Sequence, residues 1–177
     1  MTAARPRGPE HRPTIILHDV RSAYNVGAIM RTADAIGGAT LICCGITPHP
    51  RVAGDARSPV AIDSNTRAIA KTALGAELEI PIEYERDVKD AIAHARAAGA
   101  TVLALEQDEH ATGLFEFAAD PQIEYALLIG SEVKGIDGEL LALADHVLEL
   151  PQRGAKESLN VSVAAGVALY HLFGRIH

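Results

Sequence analysis

The chain has 177 residues, of which 48% are hydrophobic and 22% charged, and its formal net charge at pH 7 is −7. This composition is typical of a single globular domain, and no apolar run reaches the roughly 18 residues that a membrane-spanning helix requires. The acidic balance argues against nonspecific adhesion to nucleic acid.

Positive charge is concentrated in the first part of the chain. Residues 1–71 contain nine Lys or Arg and five Asp or Glu, whereas residues 72–177 contain seven and eighteen. Such an asymmetry fits a local binding site for a polyanion, and it fits an accidental distribution equally well. Residues 1–13 hold three Arg, three Pro and no apolar segment, so we expect a flexible N-terminal arm and not a secretory signal.

Apolar runs that predict strands alternate with periodic segments that predict helices. After a first strand, Val26, Ile29, Met30 and Ala33 follow helical spacing until Gly37. The predicted strands span residues 14–18, 41–44, 80–84, 101–105, 125–129 and 147–150. The predicted helices span residues 25–37, 63–74, 87–98 and 155–172, and a long loop covers residues 45–62.

Uninterrupted apolar strands between helices are typical of a mostly parallel sheet covered on both faces. We therefore expect one α/β domain over residues 14–177. Cys43 and Cys44 are adjacent in an apolar stretch, so we expect reduced core residues in a cytoplasmic protein. Ligands of such sheets bind beyond the carboxyl ends of the strands, in the loops that follow them. The loops with polar or glycine residues follow Leu105, Ile129 and Leu150.

Several common site motifs do not occur in the sequence. There is no G-x-G-x-x-G after the first strand, no P-loop and no G-x-S-x-G segment. The eight His residues are scattered, without the spacing of a zinc site. The sequence therefore gives no indication of a dinucleotide site, a P-loop nucleotide site, a serine nucleophile or a metal.

Three segments of the chain match the motifs of one known family, in the same order. They read NVGAIMRTADAIGG from Asn25, LLIGSEVKGI from Leu127 and LELPQRGAKESLNVSVAAGVALY from Leu148. From about Thr14 to its end, the chain resembles the SpoU (TrmH) family of RNA ribose 2′-O-methyltransferases in the SPOUT superfamily. The second and third segments together are very specific, whereas the first alone would be a weak signal.

The resemblance implies a fold, a cofactor and an assembly. These are a deep trefoil knot at the C-terminal end of the sheet, bound S-adenosylmethionine, and a homodimer with the cofactor pocket near the subunit interface. General topology rules would exclude a knot, so this expectation depends on the resemblance alone. The final predicted helix is apolar on nearly every side, and a partner chain would cover the side that its own sheet does not.

The resemblance makes Arg31 the motif arginine that handles the target ribose. Helical spacing places Arg31 opposite the apolar stripe of its helix, where an arginine is otherwise an ordinary solvated side chain. Arginine stays protonated, so we do not expect a simple general base. We expect it to bind the target phosphate and to stabilise the developing alkoxide, with the proton passing to phosphate or water.

Four further polar residues are candidates for the catalytic site by the same resemblance. Asn25 shapes the substrate side of the pocket or caps its helix. Glu132 fixes the catalytic loop or Arg31, or is an ordinary solvated carboxylate. Ser158 and Asn160 hydrogen-bond the methionine moiety, the ribose or Glu132, although Ser158 could also act as a helix N-cap.

The cofactor is expected to lie against backbone near the strand ends. Gly130 would let the backbone approach it closely. The resemblance alone adds further contacts, from Leu105, Leu150, Ser158 and Leu159.

The predicted function is therefore S-adenosylmethionine-dependent methylation of a ribose 2′-hydroxyl in tRNA or rRNA. RNA contacts would come from Arg5, Arg7 and Arg12 of the arm and from Arg21, Arg51 and Arg57, although these arginines could equally be solubilising charge. Three Phe, four Tyr and no Trp leave little for base stacking, which favours recognition of RNA backbone and shape. Two alternatives stay open: a knotted RNA-binding protein without activity, and a methyltransferase for a non-RNA substrate.

Overall fold

The computed structural model describes residues 12–155 and 158–174, in which strands and helices alternate. The strands are β1 (Thr14–His18), β2 (Thr40–Cys44), β3 (Ile82–Glu85), β4 (Thr101–Leu105), β5 (Thr112–Gly113), β6 (Tyr125–Ile129) and β7 (His146–Glu149). The helices are α1 (Ala23–Ala35), α2 (Pro59–Ala73), α3 (Val88–Ala97), α4 (Gly138–Leu141) and α5 (Val161–Phe173).

The seven strands form one sheet in the order β3-β2-β1-β6-β4-β7-β5, and every neighbouring pair is parallel. This confirms the predicted mostly parallel α/β sheet. β6 lies between β1 and β4, and β7 lies between β4 and β5, so late strands insert between earlier ones. The knot implied by the resemblance stays a prediction.

Helices cover both faces of the sheet, because successive side chains of a strand point in opposite directions. Ile15 and Leu17 of β1 belong to a buried cluster that includes residues of α1, α2 and α5. Ile16, between them, belongs to a second cluster that includes residues of α3 and α4. Burial on both sides explains why the strands read as continuous apolar runs.

Two helix boundaries differ from the prediction in ways that matter for the site. α2 begins at Pro59, inside the predicted loop, because the Ser58 side chain accepts a hydrogen bond from the Ala61 N–H and caps the helix. α5 begins at Val161 instead of residue 155, because Asn160 supplies its N-cap. The sequence patterns do not predict β5 or α4, which have two and four residues.

The two cysteines are buried free thiols, as predicted for core residues. Burial raises the pKa of both thiols, to about 12 for Cys44, so both are protonated at neutral pH. Within the described residues, no helix is long and apolar enough to cross a membrane. Residues 1–11 of the predicted arm, with Arg5 and Arg7, lie outside the described residues.

Candidate active site

The loops after β4, β6 and β7 leave the same edge of the sheet at adjacent positions. β4 lies between the other two strands, and Leu105 is in register with Ile129 on one side and Leu148 on the other. The Glu106 N–H continues this pairing and donates to the Leu148 carbonyl at 3.0 Å. The structure therefore brings together the three loops that the sequence selects.

Glu132, in the loop after β6, is held by the segment that leads into α1. Its Oε2 accepts a hydrogen bond from the Arg21 N–H at 2.9 Å. Its Oε1 accepts from Asn25 Nδ2 at 2.7 Å and from the Ser22 N–H at 3.3 Å. The carboxylate thus ties the second sequence motif to the first across more than a hundred residues.

Asn25 extends this network to the third motif. Because its Nδ2 donates to Glu132, its Oδ1 is left to accept, and it does so from Asn160 Nδ2 at 3.2 Å. Asn160 Oδ1 accepts from the Ser162 N–H at 2.9 Å and from the Ser162 hydroxyl at 2.6 Å. Glu132, Asn25 and Asn160 therefore form one hydrogen-bonded group, which we call the motif triad.

The capping roles considered for Asn25 and Ser158 are wrong. Ser22 caps α1, and its hydroxyl accepts from the Asn25 N–H, which places Asn25 inside the first turn. Asn160 caps α5, whereas Ser158 lies exposed two residues before the cap. Freed from backbone capping, the Asn25 side chain is available to bridge two loops.

The charge of Glu132 is stabilised by its hydrogen bonds. Partial burial by itself would raise the pKa of the carboxyl. The donors from Arg21, Asn25 and Ser22 outweigh that effect and hold the pKa of Glu132 below its ordinary value. The motif triad therefore presents an ionised carboxylate at neutral pH, whose acceptor sites are largely engaged.

Arg31 is not part of this network within one chain. It is exposed on α1, and its side chain makes no hydrogen bond or ion pair with residues 12–155 or 158–174. It follows Asn25 by six residues, which amounts to about 9 Å along the helix axis and about a third of a turn around it. The guanidinium is therefore free to meet a ligand on another side of α1.

The residues predicted to hold a cofactor lie at the same strand ends as the motif triad. Leu105 and Leu150 are half-buried and pack, like Val161, against the larger core cluster. Ser158 and Leu159 are exposed just before α5, and Leu159 is 44% exposed. Apolar surface and an exposed hydroxyl thus face solvent just before α5.

Gly130 has a structural reason to be glycine. A Cβ placed there would lie 2.5 Å from the Gly135 carbonyl, because residues 131–135 turn back on themselves. Gly135 in turn has a φ of +63°, and a Cβ there would collide with the Glu106 carboxylate. The close approach at Gly130 is therefore to the chain's own backbone.

Glu106 is a site residue to which sequence reasoning assigned no role. Its Oε1 accepts from the Gln107 N–H at 2.9 Å and its Oε2 from the Ile136 N–H at 2.8 Å, which joins the loops after β4 and β6. Its position could have identified it in the sequence, because a carboxylate directly after a buried strand lies at the edge of the sheet where ligands bind.

The arginines predicted to bind RNA have different environments. The side chains of Arg12, Arg21 and Arg51 are exposed. Arg57 is committed to its own loop: its guanidinium pairs with the Asp55 carboxylate, at 2.9 Å from Nε and 2.6 Å from Nη2, and donates to the His49 and Pro50 carbonyls. The RNA contact of Arg57 stays a prediction, and its guanidinium already has partners within its own loop. Among the described residues, there is no cluster of three or more His, Cys, Asp or Glu side chains that could bind a metal ion.

Comparison with known proteins assigns the chain to a family. A profile of the SpoU rRNA Methylase family matches residues 12–170. A tRNA (guanosine(18)-2′-O)-methyltransferase of Escherichia coli K12 is 33% identical over 157 residues, which are 89% of this chain and 61% of that protein. The putative TrmH family tRNA/rRNA methyltransferase YacO of Bacillus subtilis is 30% identical over 160 residues, 90% of this chain and 57% of that protein.

Solved structures agree with the sequence relatives. The structure of an AdoMet-bound rRNA methyltransferase from Sinorhizobium meliloti superposes with a TM-score of 0.73 at 27% identity, and covers 92% of this chain and 56% of that one. The chain thus spans about three fifths of the length of the relatives that it matches. With the family profile matching nearly its whole length, the chain belongs to the SpoU (TrmH) family of RNA methyltransferases.

Proposed function

We propose that this chain transfers the methyl group of S-adenosylmethionine to a ribose 2′-hydroxyl of tRNA or rRNA. The observation that carries the proposal is the motif triad, in which Asn25, Glu132 and Asn160 from three separate motifs meet through hydrogen bonds of 2.7 and 3.2 Å. The named activities of the relatives support the same reaction class.

The residues at the strand ends suit S-adenosylmethionine, which supplies an electrophilic methyl group on a sulfonium cation. Leu105, Leu150 and Leu159 offer apolar surface for a neutral adenine, and the exposed Ser158 hydroxyl would hydrogen-bond a polar part of the cofactor. Glu132 adds a negative charge nearby. We include Gly130 in the site because it allows the tight turn that carries Glu132.

The work of the protein in this reaction is to place the ribose oxygen in line with the methyl group and to exclude water. Glu132 already accepts three hydrogen bonds and is ionised, so we assign it, with Asn25 and Asn160, to positioning the loops. Arg31 binds the target phosphate and stabilises the developing alkoxide. The proton leaves to phosphate or water.

We extend the proposal to a homodimer and to the knot. α5 buries Ala165, Ala168, Leu169 and Leu172 on one side, yet Val163 and Tyr170 are each 51% exposed. A second copy would cover this apolar surface, and it would offer the site an Arg31 that its own α1 holds apart. The insertion of β7 between β4 and β5 is compatible with the deep trefoil knot of the family resemblance.

RNA would approach from the edge of the sheet that carries the motif triad. The exposed guanidiniums of Arg21 and Arg51 would contact phosphates there. Arg21 lies next to the motif triad, because its backbone N–H donates a hydrogen bond to Glu132.

The test is to incubate the full chain with isotopically labelled S-adenosylmethionine and RNA from cells that lack the protein. Digestion to nucleosides should place the label in a 2′-O-methylated ribose. Label in a base would contradict the reaction assignment, and label in protein or a small molecule would contradict the substrate class. Cofactor binding without any transfer would favour an inactive RNA-binding protein.

A further inference from the structure

One cavity in the described part of the chain has no residue of the motif triad in its lining. It has a volume of about 800 Å³ and is formed by the loop after β2, by α2 and by β3. Its size is typical of a small-molecule site. The residues that matter for its chemistry are Thr47, His49, Arg57, Asn65, Glu83 and Tyr84.

The cavity is rigid because the loop that forms it is cross-linked by side chains. Arg57 binds Asp55 and the carbonyls of His49 and Pro50. The His49 ring stacks on Tyr84 with centroids 4.6 Å apart, and the Tyr84 hydroxyl donates to the Gly45 carbonyl at 3.2 Å. The shape therefore exists before any ligand arrives, which lowers the entropic cost of binding.

The chemistry of the cavity suits a flat neutral ligand better than an anion. Asp55 neutralises Arg57, and Glu83 adds a negative charge. Burial lowers the pKa of His49, with Arg57 acting in the same direction, so its ring is neutral. The remaining features are the aromatic surface of Tyr84, which is 41% exposed, and the Asn65 amide, which has no hydrogen-bond partner in the described parts of the chain.

The cavity is joined to the motif triad by a short buried connection. The Thr47 hydroxyl accepts from the Val20 N–H at 3.1 Å and donates to the Leu17 carbonyl at 3.0 Å. Arg21 and Ser22, which bind Glu132, follow Val20 directly. Thr47, which lines the cavity, is therefore hydrogen-bonded to the residue directly before the segment that binds Glu132.

We propose that this cavity binds an unstacked nucleobase of the RNA substrate, stacked on Tyr84 and read along its edge by the Asn65 amide. Aromatic side chains accept any base face, whereas an amide offers one donor side and one acceptor side to a base edge. The exposed Arg51, in the same loop, is available to a flanking phosphate. The inference rests on the proposed function, because it assumes an RNA substrate.

The first test is a titration of the full chain by NMR with AMP, GMP, CMP and UMP, each to about 10 mM, since a single base binds weakly. We expect at least one nucleotide to shift the Tyr84 ring and Asn65 amide signals, and ribose 5-phosphate to leave them unchanged. No shift with any nucleotide, or the same shift with ribose 5-phosphate, would overturn the inference. This readout does not need methyl transfer, so it decides the cavity even if the proposed function fails.

The second test measures methylation of RNA from cells that lack the protein. Tyr84→Leu and Asn65→Ala should each raise the KM for RNA by about tenfold with kcat little changed, as expected for the loss of stacking or edge contacts. Tyr84→Phe should stay close to wild type, and so should Phe115→Leu, which removes an exposed aromatic ring from another region. An unchanged KM in both first variants, at unchanged Tm, would overturn the inference and leave the proposed function standing. Nucleotide binding with an unchanged KM would identify a free-nucleotide site instead.

Discussion

Two neighbouring regions at the carboxyl edge of the sheet are each held by one charged side chain, in opposite ways. Glu132 accepts hydrogen bonds from Arg21, Ser22 and Asn25, which lie more than a hundred residues away. Arg57 donates to acceptors at residues 49–55 of its own loop. The first region joins distant motifs and has the exposed Ser158 and Leu159 next to it in the chain, whereas the second closes a local loop. The structural role of a charged residue thus depends on whether its hydrogen-bond partners are distant or local in the chain.

The largest effect is expected outside both networks, at Arg31. Arg31→Ala should lower turnover by at least about 100-fold, because it removes the charge that we propose stabilises the alkoxide. Cofactor affinity, measured by calorimetry, should be nearly unchanged. Arg86→Ala, which removes an exposed arginine elsewhere, should leave both quantities intact. A parallel loss of cofactor affinity in Arg31→Ala would mean that Arg31 supports the fold of the site.

Glu132→Gln tests whether the long-range network depends on charge. The amide keeps the shape of the side chain, but one of its two terminal groups becomes a donor facing backbone N–H groups. We expect kcat to fall by about 10- to 100-fold, since charge-assisted hydrogen bonds are about twice as strong as neutral ones. Glu139→Gln, at an exposed salt bridge, is the matched control. Equal rates for the two variants would show that the Glu132 charge is dispensable.

The pH dependence of stability should carry the signature of Glu132. Because its folded-state pKa lies below the ordinary value of 4.5, its contribution is present above that value and is lost as the pH falls through the folded pKa. The difference in Tm between wild type and Glu132→Gln should therefore be constant from pH 7 to about pH 5 and shrink below pH 4.5. A difference that grew on acidification would reverse the assigned sign.

A smaller effect is expected from Arg57→Lys in the local region. Lysine cannot reproduce the planar fork that binds Asp55 and two carbonyls together. The Tm should fall by about 5 °C or less, and the KM for RNA should rise while kcat is retained. Differential scanning calorimetry and steady-state kinetics measure both. A fall in kcat as large as that of Glu132→Gln would remove the distinction between the two regions.

The fold was largely readable from the sequence, because buried parallel strands are short uninterrupted apolar runs. The predicted helix boundaries were wrong where a capping residue sets the start of the helix. Ser58 and Pro59 start α2 inside a segment that was predicted to be a loop. Asn160 caps α5, which therefore begins only at Val161. Such caps depend on a single side-chain hydrogen bond, which no periodic pattern records.

The site was readable only where a family motif marked it. The motifs select Asn25, Glu132 and Asn160, and the structure brings these together, but no spacing rule says that Asn25 bridges the other two. Arg57 shows the converse case, because its charge suggests RNA binding, whereas the structure shows it paired with Asp55, two residues away. Glu106 carries no motif at all. Sequence patterns therefore do not predict which side chains will form hydrogen bonds or ion pairs with each other, whether the partners are distant in the chain or close.

A double-mutant cycle at Asn25 and Glu132 tests most directly whether the motif triad acts as one unit. The measurement is kcat of Asn25→Ala, Glu132→Ala and the double variant on the same RNA. We predict that the double variant is no slower than the slower single variant, because either change already breaks the connection between the loops. Losses that simply multiply would show that the two side chains act independently and would contradict the account.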